Sequence, residues 1–103
     1  MFGKKYEIFI GLMDQDKYEE IFDVDTFITV LSTRCINHKI GFSLTTQLGG
    51  YAHNKGYTTE TSLKITLIGA DENIVNEMSN YLKDIINTDT VLITTEDIEY
   101  DFK

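Results

Sequence analysis

The stretch GFSLTTQLGGYAHNKGYTTETSLKITLIG, Gly41 to Gly69, decides the fold. Two runs in it, Gly41–Leu48 and Thr58–Ile68, alternate apolar and β-branched residues with polar ones, as half-buried strands do. Phe42, Leu44, Thr46 and Leu48 share a face of the first; Thr61, Leu63, Ile65 and Leu67 share a face of the second. Between the runs lie Gly49, Gly50 and Gly56, Tyr51 and Tyr57, His53 and Lys55. Asn54–Gly56 supplies the backbone freedom for a tight reversal, so the stretch reads as a long β-hairpin with a chemically equipped tip.

Working outward, Tyr6–Met13 alternates as a strand, with Tyr6, Ile8, Ile10 and Leu12 on one face and Glu7, Phe9, Gly11 and Met13 on the other. Asp14–Glu20 is a polar loop, from which Ile21 and Phe22 return toward the core. Asp23 or Asp25 caps a helix whose apolar positions are Val24, Phe27, Ile28, Leu31 and Cys35, and Gly41 ends it. On the other side Asp71 caps a second helix with the stripe Ile74, Val75, Met78, Leu82, Ile85 and Ile86. Asn87–Asp89 is a short turn. Thr90–Thr95 reads as a buried strand, with Ile98, Tyr100 and Phe102 alternating beyond it.

The order strand, helix, strand, strand, helix, strand is the ferredoxin-like βαββαβ arrangement. This is a single α+β domain over 1–103, a four-stranded antiparallel sheet with both helices on one face. Its other face carries Phe9, Met13, Ile68 and Leu92 among Glu7, Lys64, Thr66, Ser43, Thr45 and Gln47. A face so apolar calls for a cover. The expectation is a homo-oligomer, dimer or trimer, with Phe9, Met13, Thr45, Lys64, Thr66, Ile68 and Leu92 at the contact.

Composition narrows the function classes. A chain of 103 residues that is 42% hydrophobic and 12% aromatic builds one packed domain. Seventeen acidic against nine basic residues give a formal charge of −8, which repels phosphate backbones and anionic membranes, so direct nucleic-acid or membrane binding is not expected. Cys35 is the single cysteine, which fits a reducing compartment. The N-terminal apolar run is broken by Glu7 and Gly11, unlike a signal peptide or a membrane span, and a cytoplasmic location is expected.

The element order, with a polar, glycine-bearing loop between the second and third strands, resembles the PII-like signalling proteins and their CutA-like relatives. In PII proteins the second strand runs into a Gly-aromatic-Gly segment and a long loop, and LTTQLGGYAHNKGYTTE, Leu44 to Glu60, occupies that place. SLKITLIGADENIVNEMSNYL, Ser62 to Leu82, follows with the PII-like succession of alternating strand, acidic cap and amphipathic helix. The resemblance implies nucleotide binding, in which PII proteins use a glycine- and lysine-bearing loop before the last strand and basic residues near the C-terminus. Here those places hold Asn87, Thr88 and Asp89 and the acidic EDIEYDF. YEIFIGL at Tyr6–Leu12, the TETSLKITLIG strand and NTDTVLITTEDI are also similar to a group of small bacterial and phage proteins.

The hairpin tip is the candidate recognition surface. Gln47, Gly49, Gly50, Tyr51, His53, Lys55 and Tyr57 offer rings to stack on a planar anionic ligand, donors to bond it, and glycines for close approach. The plainer alternative is a turn with aromatics packed across strands. Two histidines, His38 and His53, without Cys/His spacing make no zinc site, and Asp14, Asp16, Glu19 and Glu20 lack a calcium-loop glycine. Cys35 sits on an apolar stripe as a structural thiol. No nucleophile elbow, P-loop or Rossmann fingerprint occurs. The expected function is therefore a non-enzymatic oligomeric regulatory protein without cofactor or metal. It would bind a small anionic ligand, a nucleotide among the choices, or a protein partner through the tip and inter-subunit clefts. The alternative is an acidic phage or mobile-element inhibitor that docks its carboxylates, Glu96 to Asp101, on a basic nucleic-acid-binding host factor.

Overall fold

A computed structural model of the chain describes residues 1–12, 24–53 and 56–103, the side chains of Val24, Tyr51, Ala52, His53, Thr58 and Glu60 excepted. The elements are β1 (Phe2–Gly11), α1 (Val24–His38), β2 (Phe42–His53), β3 (Gly56–Ile68), α2 (Glu72–Ile86) and β4 (Leu92–Glu99). The four strands form one sheet in the order β2-β3-β1-β4, every neighbour antiparallel. This is the ferredoxin-like α+β fold.

Strand alternation builds the core. Tyr6, Ile8 and Ile10 of β1, with Leu12 just beyond it, lie beside Leu63, Ile65 and Leu67 of β3, all buried on one face. Phe27, Leu31 and Cys35 of α1 and Val75, Met78, Leu82 and Ile86 of α2 pack with them. The α2 stripe is as its spacing requires, with Ile74 and Ile85 half-buried at its borders. Asp71 caps α2, its Oδ1 accepting from the Ile74 N–H at 2.9 Å.

Helix α1 is built from poorer helix formers, whose hydroxyls bond back to the helix's own backbone. The hydroxyls of Thr29 and Thr33 donate to the carbonyls of Asp25 and Thr29, each at 2.9 Å, one turn back on the exposed side. Ile28, expected on the buried stripe, is 41% exposed, because the stripe that meets the sheet runs through Phe27, Leu31 and Cys35. The helix also ends earlier than Gly41. Lys39 takes the left-handed conformation at φ 58°, and the Ile40 N–H donates to the Cys35 carbonyl at 3.0 Å while the Lys39 N–H donates to that of Ile36 at 3.1 Å. These bonds close the helix as a Schellman turn on a lysine.

Three strand expectations change. The first strand begins at Phe2 and ends at Gly11; Met13, Asp23 and the acidic loop Asp14–Glu20 lie outside the described residues. Residues 90–95 are not a buried strand: β4 is a sheet edge, and Leu92, Thr94 and Thr95 are exposed while Ile93 is half-buried. The glycine-rich segment is not a loop tip: β2 runs through Gly49 and Gly50 to His53, which pairs with Gly56. Asn54 and Lys55 lie outside the described residues.

Candidate functional site

The β2–β3 hairpin outgrows the sheet. The last β1 pair is Gly11 with Ser62, opposite Gln47 on β2, so Leu48–His53 and their partners continue as a two-stranded ribbon. Six residues per strand carry it about 20 Å beyond β1 at 3.3 Å per residue. Ser62, nearly buried at its base, donates its hydroxyl to the Gln47 carbonyl at 3.4 Å.

Register sorts the candidate residues into two sets. Tyr57 pairs with Ala52, Thr59 with Gly50 and Thr61 with Leu48, so Leu48, Gly50, Tyr57, Thr59 and Thr61 share the side of the sheet that faces the helices farther down. Gln47, Gly49, Tyr51 and His53 belong to the opposite register class. Lys55 lies outside the described residues. Tyr51 and Tyr57 therefore do not form one cluster by strand geometry.

Tyr57 has a built seat. A Cβ placed on Gly50 would meet the Tyr57 hydroxyl at 2.5 Å and its Cε1 and Cζ at 2.9 Å, so the ring lies diagonally across the bare glycine backbone. Yet Tyr57 is 71% exposed and Leu48, on the other side of Gly50, is 78% exposed. Leu48 was expected to be an inward strand position. It is exposed because it lies beyond the last β1 pair, so the ribbon shows an apolar strip to solvent. Its neighbouring Gly49-Gly50 pair is the one sequence signal that could have marked it.

The helix-free face of the sheet is polar at its centre and apolar at its rim. Phe9 stands opposite both Lys64 and Leu92, Lys64 opposite Thr45, Thr66 opposite Glu7 and Ser43, and Ile68 opposite Lys5. Register thus brings Phe9, Thr45, Lys64, Thr66, Ile68 and Leu92 to one face, and Leu92 is 60% exposed. Glu7 is clasped by Lys5 at 3.1 Å and Lys64 at 3.5 Å. The hydrogen bond from Lys5, and then the charge of Lys64, hold its carboxyl below the usual carboxylate range. Lys64 Nζ also lies 5.9 Å from the Phe9 ring centroid.

Other clusters are structural in character. Asp97 of the acidic segment is paired with Lys4 across the β1–β4 ladder at 3.0 Å, and Glu96 stands opposite Lys5. An open depression of about 460 Å³ lined by Phe2, Gly3, Lys4, Asp97, Ile98 and Glu99 sits at the end of β1 remote from the ribbon. Between the helices, Arg34 lies 4.1 Å over the Tyr81 ring and donates to Glu77, whose other oxygen is 3.4 Å from His38 Nε2. Burial pushes the Cys35 thiol up, away from the thiolate form a nucleophile needs. Among the described residues no group of three or more His, Cys, Asp or Glu is placed to hold a metal ion, and no helix is long and apolar enough to cross a membrane.

No protein-family model matches the chain, and no curated protein matches its sequence. Solved structures do match. A phage SAM lyase in complex with S-methyl-5′-thioadenosine superposes with a TM-score of 0.73 at 21% identity, over 92% of this chain and 81% of that one. CutA1 from Pyrococcus horikoshii OT3, in a point-mutant form, gives 0.61 at 13% identity over 97% and 87%. CPII from Thiomonas intermedia K12, a nitrogen regulatory PII-like protein bound to ADP, AMP and bicarbonate, gives 0.54 at 12% identity over 98% and 97%. The chain has the fold of the CutA-like and PII-like proteins. At these identities the likeness is one of fold, and it places the hairpin that dominates the sequence as the middle hairpin of that fold.

Proposed function

We propose that this chain is a small oligomeric binding protein whose ligand carries an adenosine moiety, held at the β2–β3 ribbon and in clefts between copies. The observation that carries the reading is the ribbon itself, which projects beyond the sheet with Tyr57 and Leu48 exposed on one side. Apolar surface of that kind is kept where something docks on it. The ligand class draws support from two proteins of the same fold, one bound to S-methyl-5′-thioadenosine and one to ADP and AMP. The assembly draws support from the sheet face around Phe9 and Leu92, which neither α1 nor α2 covers.

A thermal-shift screen with adenosine, S-methyl-5′-thioadenosine, AMP, ADP and cyclic nucleotides, run beside a native mass measurement, tests this. A ligand that binds the folded state raises the melting temperature by mass action. No shift at millimolar concentration of any of them contradicts the reading. So does a mass equal to one chain at micromolar concentration.

A second reading, catalysis, is favoured by the likeness to the phage lyase. It separates cleanly from binding: incubation with S-adenosylmethionine releases S-methyl-5′-thioadenosine if the chain is a lyase and leaves the compound intact if it is a binder.

A further inference from the structure

We infer that Tyr57, seated on Gly50, is the base-stacking platform of the ribbon, and that this platform selects uncharged adenosine derivatives over phosphorylated ones. The inference rests on the adenosine-binding reading and deepens it. Gly50 leaves bare backbone where any other residue would place a Cβ 2.5 Å from the Tyr57 hydroxyl and 2.9 Å from its Cε1 and Cζ. One face of the ring thereby lies against the strand and the other is left open, Tyr57 being 71% exposed. A planar side chain backed by the strand on one side stacks a purine at low entropic cost, since only two torsions have to be ordered. Thr59, directly opposite Gly50, brings a hydroxyl to the border of the platform, where a ribose would lie.

Charge decides the class. The described side chains on this side of the ribbon, Leu48, Tyr57, Thr59 and Thr61, are all uncharged. Among the described residues of the sheet, the cation nearest the ribbon base is Lys64, which lies on the opposite face and is engaged with Glu7. The chain as a whole carries −8, and this field opposes a phosphate approaching the ribbon. Leu48, exposed two residues from Gly50, instead offers apolar surface about 7 Å along the strand, within reach of the 5′ substituent of a stacked nucleoside. A thioether there gains by covering Leu48, whereas a phosphate meets no cation among the described side chains.

Calorimetric titration of wild type, Tyr57→Phe, Tyr57→Ala and Gly50→Ala with adenosine, S-methyl-5′-thioadenosine, AMP and ADP tests the inference, with melting temperature as the check on folding. Wild type is expected to bind the two nucleosides more tightly than the two nucleotides. Tyr57→Phe should keep that binding, and Tyr57→Ala and Gly50→Ala should each weaken it about tenfold or more. Wild-type affinity retained in both Tyr57→Ala and Gly50→Ala overturns the platform while the adenosine reading stands. Tighter binding of AMP or ADP than of the nucleosides overturns the selectivity. No binding of any of these probes to wild type overturns the adenosine reading and this inference with it.

Discussion

The Tyr100 hydroxyl stands 3.0 Å from the point a Cβ on Gly69 would occupy, and its Cε1 is equally close to the corresponding point on Gly3. One ring thus covers Gly3 of β1 and Gly69 just beyond β3, while the Tyr100 N–H donates to the Met1 carbonyl at 2.8 Å and the Met1 ammonium donates to the Tyr100 carbonyl at 3.0 Å. The two chain ends are locked together over the β1–β3 seam.

That lock makes Gly69 sensitive twice over. Its φ of 79° suits glycine, and the space for a side chain is taken. Gly69→Ala should lower unfolding free energy by about 1–2 kcal/mol in urea melts. Combined with Tyr100→Ala, the loss should be less than the sum of the two single changes, because the ring clash is gone. Strict additivity would remove the role given to the contact.

Lys39 carries the opposite prediction. A lysine in the left-handed conformation closes α1, where glycine has no steric penalty. Lys39→Gly should therefore stabilise the protein by about 0.5–1 kcal/mol in the same assay. Destabilisation would mean that the lysine side chain contributes more than the backbone strain costs.

Glu7 gives a pH dependence of defined sign. Its folded-state pKa is lowered by the Lys5 hydrogen bond and the Lys64 charge. Its stabilisation is therefore fully present above the unfolded value, about pH 4.3, and is lost as pH falls through the lower folded value. The stability difference between wild type and Glu7→Gln should shrink between about pH 5 and pH 3. A difference that stays constant over that range contradicts the clasp.

The helix-free face predicts where the assembly is held. Leu92 is largely exposed in the single chain and touches the helix-side core little, so Leu92→Glu should leave the chain folded. Placed beside Phe9, the new carboxylate should weaken self-association at least tenfold by native mass spectrometry over a dilution series. An unchanged mass distribution would remove that face from the contact.

The fold was legible where signals are local. Period-two alternation in Tyr6, Ile8, Ile10 and Leu12, the α2 stripe and the Asp71 cap each depend on neighbours in sequence, and each is found in place. What escaped depends on distant partners. Gly49 and Gly50 read as a loop tip because glycine disfavours strands, but Tyr57 on the facing strand covers Gly50 and the ladder continues. Gly41 is the better helix terminator by residue type, yet the turn closes at Lys39. Thr90–Thr95 has the composition of a central strand, yet it leads into β4, an edge of the sheet. At the candidate site, Tyr57 and the glycines were visible as residue types. Their division from Tyr51 and His53 was not, since it follows from a register that only the paired strands define.

Docking of an adenosine nucleoside on the ribbon at Tyr57 can be read from an amide NMR titration of isotope-labelled protein with S-methyl-5′-thioadenosine. The largest shift changes should gather at Leu48–Gly50 and Tyr57–Thr59, with little change along β4. No shift changes at saturating ligand, or changes centred on the β1–β4 depression around Phe2 and Ile98, would contradict it.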